Sequence, residues 1–348
     1  MTKKSFISEK IVFLFIVFSS SLCTFADDKN TNSDLFKPLD AILYAPQVEG
    51  CIRSKYEYSI NANSHRFQVR NARFSVNGKL SSIIDYKAEI DLSDEGSLKM
   101  LDAWGRVAPV DFFSLKIGQQ KVPFSSDHLR APHVQAFANR SFISKQVCSG
   151  LRDVGATVSF KNKDVLPFEF LAGIYNGMGI YSQKKWVTDF NYALRAVITP
   201  IKNISISLNY NSIKPELLKI NFFDVGLSCY YENLYLEAEY VHKVYENNVL
   251  DPTDAFLAFV YYDIPVETKI IKTISPRIRY DMMTDNNKGK AVDGAYLVDD
   301  IKRSRVTAGV NFNFDKYIMM RLNYEKYFYD KDIENKDDKG VIEFVFKF

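Results

Sequence analysis

The sequence predicts an all-β protein: a transmembrane antiparallel β-barrel of about 16 strands. Three observations carry that prediction. Apolar and polar side chains alternate with a period of two in segment after segment, while helical periodicity is poor. After the first residues, no apolar run is long enough for a membrane helix. The connections alternate between short and long.

The chain starts with Lys3, Lys4 and Lys10 ahead of the apolar run Ile11–Phe18, followed by Ser-rich sequence and Thr24-Phe25-Ala26. A basic region, a short apolar core and small residues at the end describe a secretory signal over 1–26. The run is too short to span a bilayer, which takes about 20 residues. Residues 27–48 match no strand and read as a periplasmic lead-in, leaving 49–348 for the barrel.

Alternating segments fall near 50–59, 66–78, 82–92, 98–108, 112–121, 150–161, 166–176 and 188–199. They continue at 201–211, 221–232, 233–245, 254–263, 274–283, 303–314, 316–328 and 339–348. Segment 82–92 sets Ile84, Tyr86, Ala88, Ile90 and Leu92 against Asp85, Lys87, Glu89 and Asp91. Segment 201–211 sets Leu208 and Tyr210 against Ser207 and Asn209, and 274–283 sets Ile278 and Tyr280 against Arg277, Arg279 and Asp281. The phase changes between Val69 and Ala72, which predicts a bulge. In the tail, Ile342, Phe344, Phe346 and Phe348 share one face opposite Glu343 and Lys347.

Composition agrees with a barrel. The chain has 27 Phe and 21 Tyr against 2 Trp, and barrels place aromatics on the lipid face and in girdles at both interfaces. A net charge of +3 gives no reason to expect nucleic acid as a partner. Of the four cysteines, Cys23 falls in the leader; Cys51, Cys148 and Cys229 remain, an odd set that defines no disulfide framework, and Cys229 lies in the apolar phase of its strand.

Charges on the other phase have to point into the lumen or pair, because a lipid-facing charge costs several kcal/mol. At least half of the inward arginines are expected to brace the wall by pairing across strands. The longest connection, 122–149, carries Arg130, Arg140 and Lys145 against the single acid Asp127, with His128 and His133 as packing residues. Phe137, Phe142 and Ile143 are expected to anchor it. A narrow basic passage favours anions, since little water screens the charge there. The candidate anion-guiding residues are Arg130, Arg140 and Lys145 of this connection, with Lys121, Arg70, Arg73, Lys116 and Arg106 of the wall.

Enzymatic signatures are absent: there is no His-Glu-x-x-His, Gly-x-Ser-x-Gly or Gly-x-x-x-x-Gly-Lys motif. No cofactor or metal is expected. The alternatives are a barrel hydrolase, which needs a Ser/His or Asp/His pair at the outer rim, and a non-conducting structural or adhesin barrel with a blocked lumen.

Arg70-Asn71-Ala72-Arg73-Phe74, Asp85-Tyr86-Lys87-Ala88-Glu89-Ile90-Asp91 and Ile117-Gly118-Gln119-Gln120-Lys121-Val122-Pro123-Phe124 resemble the phosphate-selective porin O and P family. Arg152-Asp153-Val154-Gly155-Ala156 and Gly173-Ile174-Tyr175-Asn176-Gly177 extend the resemblance over about 66–180. It implies a trimeric, sixteen-stranded channel in the outer membrane of a Gram-negative-type cell. It also implies a third outer loop folded into the lumen and passage of phosphate or polyphosphate. The terminal Phe348 on an alternating strand is similar to the end that barrel assembly machinery recognises in outer-membrane barrels. Outer-membrane lipids, that machinery, small anionic solutes and two further copies of the chain are the implied partners.

Overall fold

Side chains two residues apart share a face of a strand, so a charged phase and an apolar phase cannot both face lipid. The computed structural model resolves this as the alternation requires. It describes residues 45–94, 97–148, 152–164, 166–214, 218–266, 268–286, 300–329 and 337–348. The predicted leader 1–26 and most of the lead-in 27–48 lie outside these residues.

The strands are β1 (Gln47–Ser59), β2 (Ser64–Lys79), β3 (Ile84–Asp94), β4 (Ser97–Val110), β5 (Phe113–Lys121) and β6 (Arg152–Asn162). Next come β7 (Phe168–Tyr175), β8 (Asn191–Ile201), β9 (Ile204–Ile213), β10 (Ile220–Tyr231), β11 (Leu234–Tyr245) and β12 (Thr253–Tyr262). The last are β13 (Ile264–Pro265), β14 (Thr273–Met283), β15 (Arg303–Asn313), β16 (Ile318–Tyr329) and β17 (Lys339–Lys347). β13 has two residues and pairs with the same neighbour as β12, so it prolongs that stave. Among the described residues the wall therefore has 16 staves, each coinciding with a predicted segment. Each stave is antiparallel to the next, and β17 pairs back onto β1 to close the ring.

Burial follows the alternation. In β14, Arg279 and Asp281 are 3% and 0% exposed, while Ile278 and Tyr280 are 49% and 41% exposed. Leu208, Phe344 and Phe346 are likewise exposed, and Cys229 shares the outward phase of Leu227. The bulge stands where the phase changes: Arg53 faces Asn71 and Ser54 faces Val69, leaving Arg70 as the extra residue of β2.

Both ends of the barrel chain lie on the short-turn side, where β8–β9 and β10–β11 are joined by two residues each. The long connections emerge at the other side, and the one between β5 and β6 is the third connection on that side. At the seam, Phe348 N donates to Gly50 O at 3.1 Å and Gly50 N to Phe348 O at 2.7 Å, beyond the last ladder pair. The Phe348 ring packs on Phe74 with centroids 5.6 Å apart. It sits over Gly50, where an added Cβ would lie 2.2 Å from the ring. Only a residue without a side chain leaves that space.

Gly50→Leu should therefore displace the terminal ring and reduce the folded fraction, and deleting Phe348 should slow insertion. The readout is heat-modifiable migration of the membrane fraction on a denaturing gel. Folded yield unchanged in both variants would contradict this account of the seam.

Candidate functional site

Ionised groups held away from water persist only when paired and hydrogen-bonded. The inner face shows such pairs all round. Glu343 of β17 accepts Arg53 of β1 and Arg321 of β16, each at 2.7 Å, tying the two sides of the seam. Arg305 bonds Asp281 at 2.7 Å and Glu325 at 3.2 Å, and Arg279 bonds Asp281 at 3.2 Å. Arg73 pairs with Asp91 at 2.9 Å, Arg106 with Asp85 at 2.6 Å, and Arg66 with Glu57 at 2.5 Å. The expectation that at least half of the inward arginines brace the wall is met.

The connection between β5 and β6 is largely irregular, so its backbone groups need partners from elsewhere. The wall supplies them. Arg53 donates to Ala138 O at 2.6 Å, Arg277 to Ala136 O at 2.5 Å and Arg279 to Asn139 O at 2.8 Å. Arg305 donates to Arg140 O at 2.8 Å and Arg321 to His133 O at 3.1 Å. In the other direction, Phe142 N donates to Asp281 at 3.0 Å and Ala138 N to Asn323 at 2.8 Å. Glu239 of β11 accepts the N–H groups of Ser126 and Asp127, at 2.9 and 3.0 Å. Phe137 meets Phe259 edge-on at 5.9 Å, Phe142 lies 6.1 Å from Tyr327, and Ile143 is fully buried, so the three predicted anchors do anchor the segment.

Within the segment the organiser is Asp127. Burial alone would raise its pKa, but Arg130 and Arg140, with the Ser141 and Ser144 hydroxyls, hold it well below the usual carboxylate range. Ser141 Oγ donates to it at 2.6 Å and Arg130 at 3.2 Å. Arg130 also pairs with Glu237 and sits 5.5 Å over the Phe259 ring. Arg140 donates to the carbonyls of Asp127 at 2.7 Å, His128 at 3.3 Å and Arg130 at 2.9 Å. Burial, then the nearby cations Arg140, Lys121 and Arg152, lower the pKa of His128 to about 3.

Most of the bonds from the wall lie along β1 and β11–β17; on the opposite arc the connection is met by Lys121 at Leu129 O, Arg195 at Ser126 and Ser207 at Ser126, and a space stays open beside them. There a cavity of about 400 Å³ is bounded by Pro123, Leu129, Ala131, Pro132 and His133 of the connection, by inner residues of β1–β8 and by Lys347 of β17. Seven basic residues line it (Arg73, Lys87, Lys116, Lys121, Arg152, Arg195, Lys347) against four acids (Glu49, Glu89, Asp102, Glu169).

Of the predicted anion-guiding residues, Arg73, Lys116 and Lys121 line this cavity. Arg130 and Arg140 do not, because their guanidinium groups are spent on Asp127, Glu237 and loop carbonyls. These contacts shape the segment, a role that was not expected of residues named as anion guides. Lys145 is exposed without an ion-pair partner among the described residues, yet it too lies off the cavity. Arg106 lines a separate cavity of about 250 Å³ at the short-turn end, and Arg70 is exposed at the bulge. Sequence reasoning placed Arg195 inward by phase but did not single out Arg152, Trp104 or Leu171, and all four line the cavity of about 400 Å³. Trp104 and Leu171 had a signal, being apolar residues in the wet phase of their strands.

Residues 53–214 match the family model of the phosphate-selective porins O and P. That is the family which the motifs in 66–180 resemble. OprB of Pseudomonas putida is similar in structure, with 10% identity, a TM-score of 0.65 and coverage of 89% of this chain and 96% of that one. The anion-selective porin of Comamonas acidovorans gives 11% identity, a TM-score of 0.60 and coverage of 87% and 99%. OmpT, an outer membrane protein of Vibrio cholerae solved in trimer form, gives 15%, 0.62, 87% and 99%. At such identities the likeness shows the fold. No curated protein matches the sequence. The family pattern and the barrel together support an outer-membrane channel.

The buried histidine yields a pH prediction. Folded His128 stays neutral down to about pH 3, whereas an unfolded histidine takes up its proton near pH 6.5. Its contribution is whole above that pH and is lost as pH falls toward the folded value. In detergent, the melting temperature of the wild type should drop more between pH 7 and pH 4 than that of His128→Gln. Equal drops would show that the ring is not held neutral.

Proposed function

We propose that this protein is a porin: a passive channel for small hydrophilic solutes, favouring anions, with no chemistry and no cofactor. The observation that carries the reading is the charge left over in the open arc. Arg73, Lys87 and Arg152 are neutralised by Glu89, Asp91 and Asp102. Lys116, Lys121, Arg195 and Lys347 have no ion-pair partner among the described residues, and only Glu49 and Glu169 oppose them. Fixed charge in a narrow, low-dielectric passage acts on ions with little screening.

In this reading the connection between β5 and β6 folds into the lumen and narrows it, working as a wedge that leaves selectivity to the wall. The protein sits among outer-membrane lipids as a homotrimer, after export by the leader 1–26 and recognition of Phe348 by the assembly machinery. The trimer form of OmpT and the family resemblance support the assembly state.

Reversal potential in a planar bilayer under a salt gradient tests the preference. The wild type should lie on the anion side, and Lys116→Glu with Lys121→Glu should move it toward cations. The shift should be largest in dilute salt, because near 1 M the screening length falls to about 3 Å. A conducting double variant with an unchanged reversal potential would reject the wall lysines as the source of selectivity.

A further inference from the structure

The open arc holds more than charge. On the wall side, Trp104 of β4 and Leu171 of β7 point inward in phases otherwise given to Asp102, Arg106 and Glu169. Across from them the connection presents Leu129, Ala131 and Pro132. Lys116 Nζ lies 5.3 Å from the Trp104 ring centre, and Lys121 Nζ is fixed to Leu129 O at 2.7 Å. Point-like cations thus stand beside a carbon-lined slot.

The arginine chemistry points the same way. A phosphate group is best met by free, forked guanidinium groups. Here Arg73 and Arg152 are turned onto Glu89, Asp91 and Asp102, and Arg195 donates to Asn209 at 2.6 Å and Ser126 at 3.1 Å. The lysines remain, and a lysine suits a single carboxylate without enforcing bidentate geometry. A volume of about 400 Å³ falls within the range of small-molecule sites.

Building on the channel reading, we infer that this cavity is a binding site for monovalent organic anions with an apolar body, such as aromatic carboxylates, in preference to inorganic phosphate. The carboxylate meets Lys116 and Lys121, and the apolar body lies between Trp104, Leu171 and the connection.

The test is single-channel recording in chloride with benzoate, acetate or inorganic phosphate added in turn. Benzoate should interrupt the current at lower concentration than either of the others. Trp104→Ala should raise the benzoate concentration needed by about fivefold, in keeping with the loss of one aromatic contact, while chloride conductance persists. Leu171→Asn serves the same purpose should Trp104→Ala fail to fold. Phosphate or acetate interrupting the current as well as benzoate, or benzoate block unchanged in a folded variant, would overturn the inference. A wild type that inserts without conducting would fail the porin reading itself.

Discussion

The structure depends on one constraint: irregular backbone that packs against a barrel wall must find its hydrogen-bond partners there. The connection after β5 meets it through guanidinium groups. Arg53, Arg279, Arg305 and Arg321 each hold a carboxylate and a loop carbonyl with one guanidinium; in Arg53 and Arg305 Nη2 bonds both while Nε adds a second bond to the carboxylate. A lysine donates from a single nitrogen, as Lys55 does to Glu57 and Asn139, and lacks the planar, spread array of a guanidinium. The carboxylate offsets the cost of keeping the charge out of water, and the carbonyl ties the segment down. Removing one member of such a buried set typically costs about 3–5 kcal/mol, because its partner is left charged and unpaired.

The position of the cavity follows from where these arginines stand. They belong to β1 and β14–β16, so most of the connection is held on that side, and a cavity remains between it and inner residues of β2–β8, where Lys121 and Arg195 touch it at Leu129 and Ser126. Wall chemistry then differs between the two arcs. Where the segment packs, the charges balance and are buried; where it does not, lysines stand next to an indole and a leucine. Asp127 works locally, gathering Arg130 and two serines so that the segment presents apolar residues to the open side.

The staves were legible because lipid on one side and charge on the other imprint a two-residue period on the residues themselves. The phase slip near Arg70 was legible for the same reason, and so were Phe137, Phe142 and Ile143, apolar residues in a polar segment with no strand period to claim them. The roles of Arg130 and Arg140 were not. A basic loop suggests free charge, but whether a guanidinium faces water or a carbonyl depends on contacts 10 to 107 residues away in sequence, such as Arg140 to Arg130 and Arg130 to Glu237. Which arc the segment would cover was hidden too, since alternation reports the face of a residue and nothing about what packs on it.

The central claim is that solutes pass between the connection and the β1–β8 arc. Substituted-cysteine modification tests it most directly, with Cys51, Cys148 and Cys229 first replaced by Ser. A small negatively charged thiol reagent added during bilayer recording should cut the current through Leu171→Cys. The same reagent should leave Asn311→Cys, beneath the packed segment, unaffected. Block at Asn311→Cys with none at Leu171→Cys would place the passage on the other side of the connection and contradict the account.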